Sequence, residues 1–325
     1  MAKHNWEPTA DLTTLKQRAQ LLYDVRHFFA QRQVLEVETP ILSQAAPTAP
    51  YLDSFKTDFI PLGTEQKQSY YLHTSPEFAM KRLLAAGVGS IYQMTKVFRN
   101  GEQGRLHSPE FTMLEWYRPE LDLDQLMNEV ADLLQQVFGI SSNTRLAYQA
   151  VFNSLLNIDV LCCSDHELEQ LAKQKLSSLS ADFKLDRDGW LELLMSEVIE
   201  PELAKIDQAV FIYDFPASQA QLAKVKTDEQ GRQVAARFEL YAGGLELANG
   251  YDELLDAPEL RQRFEQDNQQ RQSLGKPEMP MDENLLAAME AGLPQCTGVA
   301  LGLERLLMLV LGMRSIGETQ SIAVD

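Results

Sequence analysis

Two glutamates flank a short glycine turn, and their spacing suits a divalent cation. Glu239 and Glu246 stand on either side of Gly243-Gly244, a dipeptide typical of a two-residue β-hairpin. In that register Tyr241 faces Glu246 and Glu239 faces Ala248, so the glutamates share a face as diagonal neighbours about 7–8 Å apart. Mg²⁺ prefers oxygen ligands such as carboxylates. The spacing predicts a Mg²⁺ site on Glu239 and Glu246; two glutamates on a solvated face are the alternative.

Two arginines stand where a strand pattern gives way to a loop or a helix. Arg99 follows an apolar strand pattern and precedes a polar loop, after which Phe111 returns on a second strand. Arg305 falls just inside a predicted helix, whose positive dipole end also attracts anions. A guanidinium binds carboxylate or phosphate at two points, and an aromatic ring can stack on a nucleobase. For each residue taken alone, an ordinary surface charge or core packing is the alternative.

The elements that position these residues are predicted from hydrophobic periodicity. Amphipathic helices are predicted for residues 11–33, with Asp11 as N-cap, and for residues 123–138, while Pro76 begins a helix that ends at Gly87. Strands are predicted for residues 34–39, 91–98, 110–116, 209–215, 234–242, 245–248 and 298–302. Helices are predicted for residues 257–274 and 303–311, and a helical insertion for residues 140–205. Antiparallel hairpins with helices outside indicate an α+β fold.

Composition limits the kind of partner. The 325 residues include 29 Lys and Arg against 47 Asp and Glu, a net charge of −18. Without a basic stripe, this charge argues against stable nucleic-acid binding; simple solubility is the alternative. Cys162, Cys163 and Cys296 form no Cys-x-x-Cys pair, which favours the reducing cytoplasm. No stretch resembles a signal peptide or approaches the roughly 20 apolar residues of a membrane span.

Three stretches resemble, in order, the three motifs of the class II aminoacyl-tRNA synthetases of the lysyl type. Residues 34–40 resemble motif 1, residues 98–117 motif 2, and residues 298–309 motif 3. The similarity runs from Leu15 to the C-terminal end. It implies one class II synthetase catalytic domain over residues 1–325, a mostly antiparallel sheet flanked by helices, and a homodimer formed through motif 1.

The resemblance also implies a site for ATP and an amino acid. The expected catalytic residues are Arg99, which bridges the amino-acid carboxylate and the α-phosphate, and Arg305, which holds the γ-phosphate. The remaining ATP-site residues are expected to be Asn100, Glu102, His107, Phe111, Glu239 and Glu246. The amino-acid site is expected to contain Ser75, Glu77, Glu115, Tyr117, Asn249, Tyr251, Glu253 and Ala300. An amine-bearing substrate suits this set, because buried carboxylates need cationic partners.

Three positions depart from the lysyl pattern or from a regular strand. Gly101 stands where motif 2 has Glu, so Glu102 is the candidate replacement if the loop shifts by one residue. Asn249, Tyr251 and Glu253 would face away from Glu246 on an unbroken strand, so a β-bulge near Gly250 is predicted. Ala300 replaces the usual Gly of motif 3, and its methyl group is expected to favour a β-amino acid over α-lysine.

The layout is similar to that of a branch of this family, the elongation factor P–(R)-β-lysine ligases. Only 33 residues precede the motif 1 strand, too few for the anticodon-binding OB domain of lysyl-tRNA synthetases. The resemblance implies adenylation of (R)-β-lysine with ATP and Mg²⁺, and transfer to a lysine ε-amine of elongation factor P. The alternatives are a lysyl-tRNA synthetase-like enzyme that uses α-lysine, a ligase that joins two small molecules, and a non-catalytic regulatory paralogue.

Overall fold

The computed structural model describes residues 6–176, 179–180 and 182–324. The chain divides into two compact units. The first combines residues up to Leu121 with those from Leu254 onward, and the second spans Asp122–Glu253. Both units consist of mostly antiparallel strands and of helices, which confirms the predicted α+β class. The single domain predicted for residues 1–325 stays a prediction. Among the described residues, the helices are too short or too polar to span a lipid bilayer.

The strands are short in the first 72 residues and longer in the regions predicted to hold the site. They are β1 (Leu35–Glu36), β2 (Leu42–Ser43), β3 (Lys56–Phe59), β4 (Gln68–Leu72), β5 (Ile91–Phe98), β6 (Glu110–Arg118), β7 (Asn143–Ala147), β8 (Ala209–Pro216), β9 (Val225–Thr227), β10 (Gln233–Ala242), β11 (Leu245–Asp252) and β12 (Thr297–Gly302).

The described helices are between 4 and 20 residues long, and six of them begin at a side-chain N-cap. They are α1 (Leu12–Gln31), α2 (Glu77–Ala85), α3 (Leu123–Phe138), α4 (Tyr148–Leu156), α5 (Asp165–Lys175), α6 (Arg187–Leu194), α7 (Glu200–Leu203), α8 (Ala257–Ser273), α9 (Glu283–Gly292) and α10 (Leu303–Leu311). As predicted, Asp11 caps α1, its carboxylate accepting from the Thr14 N–H at 2.7 Å. A π-helical turn, Met195–Ile199, joins α6 to α7.

In the first unit, the larger sheet has the strand order β1-β5-β6-β12 and a smaller sheet has the order β2-β4-β3. β1 runs parallel to β5, and the other pairs of the larger sheet are antiparallel. Phe29 of α1 stacks on Tyr92 of β5 at 4.4 Å between ring centroids and meets Trp116 of β6 edge-on at 5.3 Å. Helix α1 therefore covers the face to which Tyr92 and Trp116 belong. Because side chains alternate along a strand, residues 93 and 115 belong to the opposite face.

In the second unit, the strand order is β11-β10-β8-β7, with β9 paired to β10. A buried cluster joins these strands to α4, α5 and α6; it includes Tyr148, Phe152, Trp190, Ile212 and Phe215. The turn between β10 and β11 packs closely on α7, since a Cβ added to Gly244 would lie 2.6 Å from the Ala204 Cβ. The helices between residues 148 and 203 therefore support the hairpin that carries Glu239 and Glu246.

Most predicted elements are present, but one is shorter than predicted and several others, including β9, were not predicted. β5, α3 and α10 have the predicted bounds, whereas β1 is limited to the two residues that pair with Ile91 and Tyr92. Residues 140–205 contain α4 to α7 but also β7, a strand that the sequence pattern did not predict. Helix α9 and the small sheet were also not predicted.

Candidate active site

One face of the larger sheet in the first unit carries a row of three residues from three strands. Gln93 of β5 and Ala300 of β12 lie directly opposite Glu115 of β6 in the antiparallel registers. Directly opposite residues project from the same face of a sheet. Helix α1 covers the other face, so this row lies on the face that α1 leaves uncovered.

Two hydroxyl groups hold the Glu115 carboxylate, which is only 2% exposed. Tyr117 OH donates to Oε1 at 2.6 Å, and Ser75 Oγ donates to Oε2 at 2.7 Å. Burial raises the pKa of Glu115, and the charge of Glu77 adds to this, while the hydroxyl groups and Lys81 act to lower it; the resulting pKa is about 7. A cation bound here would favour the ionised form, so the group is suited to an ammonium.

The first turn of α2 adds an internal ion pair to this group. Ser75 Oγ accepts from the Glu77 N–H at 3.0 Å, and the buried Lys81 donates from Nζ to Glu77 Oε1 at 2.5 Å. Glu77, predicted to contact the substrate, thus already has a cation from its own helix. With Glu77, Lys81 and Glu115 ionised, the group carries one more negative than positive charge. That excess matches one additional ammonium.

Arg99 lies just beyond β5 and packs on Phe111. Its guanidinium carbon is 5.2 Å from the Phe111 ring centroid, and its Nη1 is 3.8 Å from Glu102 Oε1. The buried Nε of Arg99 has no hydrogen-bond partner among the described residues. A buried donor without a partner is costly, so a carboxylate or phosphate oxygen at this position would satisfy it.

The loop after Arg99 turns at Gly101. Its φ of 88° lies in the left-handed region that favours glycine, and a glutamate at this position would be strained. The next residue, Glu102, lies near Arg99, and its role as the replacement for the motif 2 glutamate stays a prediction. The Asn100 side chain is exposed, and its backbone N–H donates to Asp53 O at 2.8 Å.

Arg305 and His107, both predicted to bind ATP, lie together. Arg305 Nη2 is 2.8 Å from His107 Nε2, and Arg305 Nε donates to Leu106 O at 3.3 Å. Since a guanidinium only donates, the His107 nitrogen accepts. The preceding Glu304 is buried and accepts from Arg18 Nη2 at 2.8 Å and from the Thr112 N–H at 2.7 Å. These bonds fix the first turn of α10 beside the motif 2 loop.

In the second unit, the register of the β10–β11 hairpin confirms one of the two predicted cross-strand residue pairs and shows that the other was wrong. Tyr241 lies opposite Glu246 as predicted, but Glu239 lies opposite Asn249 instead of Ala248. The register shifts between Leu240 and Tyr241, which makes Leu247 the extra residue of a β-bulge. A bulge was predicted, but near Gly250. The bulge places Glu239, Glu246 and Asn249 on one face, and Tyr251 follows Asn249 on that face.

The Glu239 carboxylate is surrounded by donors from its own strand. Arg237 Nη2 donates to Oε1 and Tyr241 OH donates to Oε2. Burial raises the pKa of Glu239; Arg237 opposes this increase and the charge of Glu246 adds to it. Glu246 is half-buried. Two carboxylates on one face fit Mg²⁺ bound together with phosphate oxygens, since Mg²⁺ often takes one or two carboxylates plus substrate phosphates.

The same strand face holds the predicted amino-acid ligands of the second unit. Asn249 Oδ1 accepts from Arg237 Nε at 3.2 Å, and Tyr251 OH donates to Gln221 Oε1. The buried Glu253 lies beyond the end of β11, where it forms an isolated bridge with Ala223. The part of the chain that the structure describes contains no group of three or more His, Cys, Asp or Glu arranged for a metal ion.

Sequence reasoning missed three residues that the structure adds to these groups: Gln93, Lys81 and Arg237. Arg237 lies between two rings, with its guanidinium carbon 4.5 Å from the Phe215 centroid and 5.9 Å from that of Tyr251. Strand alternation would have placed Arg237 on the face of Glu239, and helical spacing would have paired Lys81 with Glu77. No local pattern indicates Gln93.

Comparison with known proteins identifies relatives along nearly the whole chain. The family model of class II tRNA synthetases (D, K and N) matches residues 10–323. The chain is 51% identical over 321 residues to the elongation factor P–(R)-β-lysine ligase of Salmonella gallinarum (strain 287/91 / NCTC 13346), and the match covers 98% of both chains. The protein of the same name from Salmonella schwarzengrund (strain CVM19633) gives the same identity and coverage.

Proposed function

The chain belongs to the class II tRNA synthetase family (D, K and N), and we propose that it is an ATP-dependent ligase that adenylates (R)-β-lysine and transfers it to a lysine ε-amine of elongation factor P. The substrate assignment rests on the buried group around Glu115. With its carboxylates ionised, this group has one negative charge in excess, which one ammonium would neutralise. Its relatives named as elongation factor P–(R)-β-lysine ligases support the acceptor.

In the first step, a carboxylate oxygen of the amino acid attacks the α-phosphorus of ATP, and pyrophosphate leaves. Arg99 holds the carboxylate and the α-phosphate, because its buried Nε needs an acceptor and a guanidinium binds two anionic groups at once. Arg305 and His107 hold the γ-phosphate end of ATP, with Asn100, Glu102 and Phe111 on the nucleotide side. No covalent bond to the protein forms, so the chain acts by positioning and by charge stabilisation.

The second unit contributes the two carboxylates that would hold Mg²⁺. When bound, Mg²⁺ neutralises charge on the phosphates. Glu239 and Glu246 share a face, and the positive charge of Arg237 favours the ionised form of Glu239, against the effect of burial on its pKa. The proposed amino-acid ligands are Ser75, Glu77, Glu115, Tyr117, Asn249, Tyr251, Glu253 and Ala300.

In the second step, the lysine ε-amine of the acceptor attacks the carbonyl carbon of the adenylate. A nitrogen–carbon bond forms, AMP leaves with the electrons of the carbon–oxygen bond, and the amine nitrogen loses a proton. Glu115 keeps the side-chain ammonium of the bound amino acid away from the reaction, so that its carboxyl end reacts.

We also propose that two copies associate through α1 and β1, as in other class II enzymes. Exposed apolar side chains on these elements support this association: Leu12, Tyr23 and Leu35 are 66%, 63% and 54% exposed. Replacement of Leu35 by Lys should convert a dimer into a monomer in sedimentation; a wild-type chain that sediments as a monomer would contradict the proposal. The three free cysteines favour the proposed cytoplasmic location.

Amino-acid-dependent ATP–pyrophosphate exchange tests the proposed activity. We expect exchange with (R)-β-lysine well above that with α-lysine and above a blank without amino acid, and loss of exchange in an Arg99→Met variant. Preference for α-lysine would favour the lysyl-tRNA synthetase-like alternative. No exchange with either amino acid would favour a non-catalytic paralogue.

A further inference from the structure

Gln93 has a buried side-chain oxygen that no described residue satisfies. Gln93 is 3% exposed, and its Oε1 has no hydrogen-bond partner in the described part of the chain. It lies in the middle of β5, directly opposite Glu115 of β6. Buried polar side chains in folded proteins nearly always have a partner, so an unsatisfied amide oxygen beside a carboxylate points to a missing donor.

The hydrogen bonds of the neighbouring side chains indicate which kind of donor Gln93 lacks. Ser75 and Tyr117 already donate to the two Glu115 oxygens, and Lys81 donates to Glu77. An ammonium carries three donors and no acceptor, so one carboxylate cannot satisfy all three. Directly opposite residues have Cβ atoms about 4.5–5.5 Å apart, which allows one ammonium to reach both Gln93 and Glu115.

We propose that Gln93 determines specificity for an amine-bearing amino acid, by accepting a hydrogen bond from the side-chain ammonium that Glu115 binds. This proposal rests on the proposed function, in which the substrate carries such an ammonium. A neutral acceptor suits the position, because the group already has one negative charge in excess. A substrate that ends in a methyl group would leave both Gln93 and Glu115 buried without a donor, which is how a polar site rejects an apolar analogue.

The test compares (R)-β-lysine with (R)-3-aminohexanoate, which has the same chain without the terminal amine. In Gln93→Met, which has similar length but no acceptor, KM for (R)-β-lysine in pyrophosphate exchange should rise about 10- to 100-fold, the effect of losing a hydrogen bond to a charged group. KM for ATP and the thermal midpoint should change little. Gln93→Glu, which keeps an oxygen acceptor, should bind (R)-β-lysine better than Gln93→Met does.

Met94→Leu is the matched control, because Met94 is the next residue on β5 and projects from the opposite face. It should leave both KM values within about twofold, as volume-conserving apolar exchanges are well tolerated. An unchanged KM for (R)-β-lysine in Gln93→Met would overturn the proposal. So would an equal rise in the KM values for (R)-β-lysine and ATP together with a lower thermal midpoint, which would indicate a purely structural role.

Calorimetric binding of the amino acids without ATP separates this proposal from the proposed function. If the wild type binds (R)-β-lysine and Gln93→Met binds it at least about 10-fold more weakly, the role of Gln93 is supported. This holds even if no exchange occurs and the proposed activity fails. If α-lysine is the amino acid bound, the same loss of affinity for α-lysine supports Gln93 while the proposed substrate fails. Absence of any binding of either lysine overturns the role of Gln93.

Discussion

Arg237 and Glu239 stand two residues apart on one face of β10, and the Arg237 guanidinium donates to the Glu239 carboxylate. Both side chains are buried, at 6% and 8% exposure. The same guanidinium donates to Asn249 at 3.2 Å and to the backbone oxygen of Gln219 at 3.0 Å. One arginine therefore fixes the position of a proposed Mg²⁺ ligand and of a proposed amino-acid ligand.

Arg237→Met should destabilise the fold by about 3–5 kcal/mol, because breaking a buried ion pair leaves a charge without a partner. Urea unfolding measures this change. The exposed pair Lys205–Glu202, with side chains 68% and 45% exposed, provides the control: Lys205→Met should cost less than about 1 kcal/mol. Equal effects of the two variants would contradict the role given to Arg237.

The raised pKa of Glu115, about 7, predicts how amino-acid use depends on pH. Since kcat/KM reports ionisation in the free enzyme, kcat/KM for (R)-β-lysine should rise with pH up to about 7 and then level off, as Glu115 becomes charged. Glu115→Gln should lower kcat/KM and remove this rise. A rise that persists in Glu115→Gln would assign the ionisation to another group.

The same pKa shift predicts the opposite trend for stability. A carboxyl whose pKa rises from 4.5 to about 7 on folding binds protons more tightly in the folded state. The free energy of unfolding should therefore fall as pH increases through that window and level off above it. Chemical unfolding between these pH values should show a flatter profile for Glu115→Gln than for the wild type, and parallel profiles would contradict the prediction.

Ala300 lies directly opposite Glu115, so its methyl group is placed on the face proposed to bind the amino acid. Ala300→Gly should reduce the preference for (R)-β-lysine over α-lysine by about tenfold or more, the usual effect of one methyl group in a binding site. The ratio of kcat/KM values in pyrophosphate exchange measures it, with KM for ATP as the internal control. An unchanged ratio would remove Ala300 from the determinants of specificity.

Gly244 has a φ of 74°, and an added Cβ would lie 2.6 Å from the Ala204 Cβ. Gly244→Ala should therefore cost about 1–3 kcal/mol from overpacking in addition to backbone strain. Gly231→Ala is the matched control, because its φ of 80° is similar but nothing lies within 4 Å of the added Cβ.

Gly244→Ala should lower the free energy of unfolding more than Gly231→Ala does. Replacing Ala204 by Gly in the Gly244→Ala variant should recover this additional loss of stability. No recovery in urea unfolding would mean that the hairpin does not rest on α7 through this contact.

Helices and strands that depend on a local residue pattern could be predicted from the sequence. Contacts between strands that are far apart in the chain could not. Periodicity placed β5, α3 and α10, and strand alternation required a bulge after Glu246. The bulge lies at Leu247 and not near Gly250 because Leu247 and Ala248 are both buried, and two adjacent apolar residues do not reveal which one is extra. The row of Gln93, Glu115 and Ala300 joins strands that are far apart in the chain, so no local pattern could indicate it.

We propose that this chain attaches (R)-β-lysine to elongation factor P. The most direct measurement is the intact mass of elongation factor P after incubation with the protein, ATP, Mg²⁺ and (R)-β-lysine. We expect the addition of one β-lysyl group on a lysine, dependent on ATP and absent with Arg99→Met. An unmodified acceptor, under conditions where the same enzyme catalyses pyrophosphate exchange with (R)-β-lysine, would contradict it.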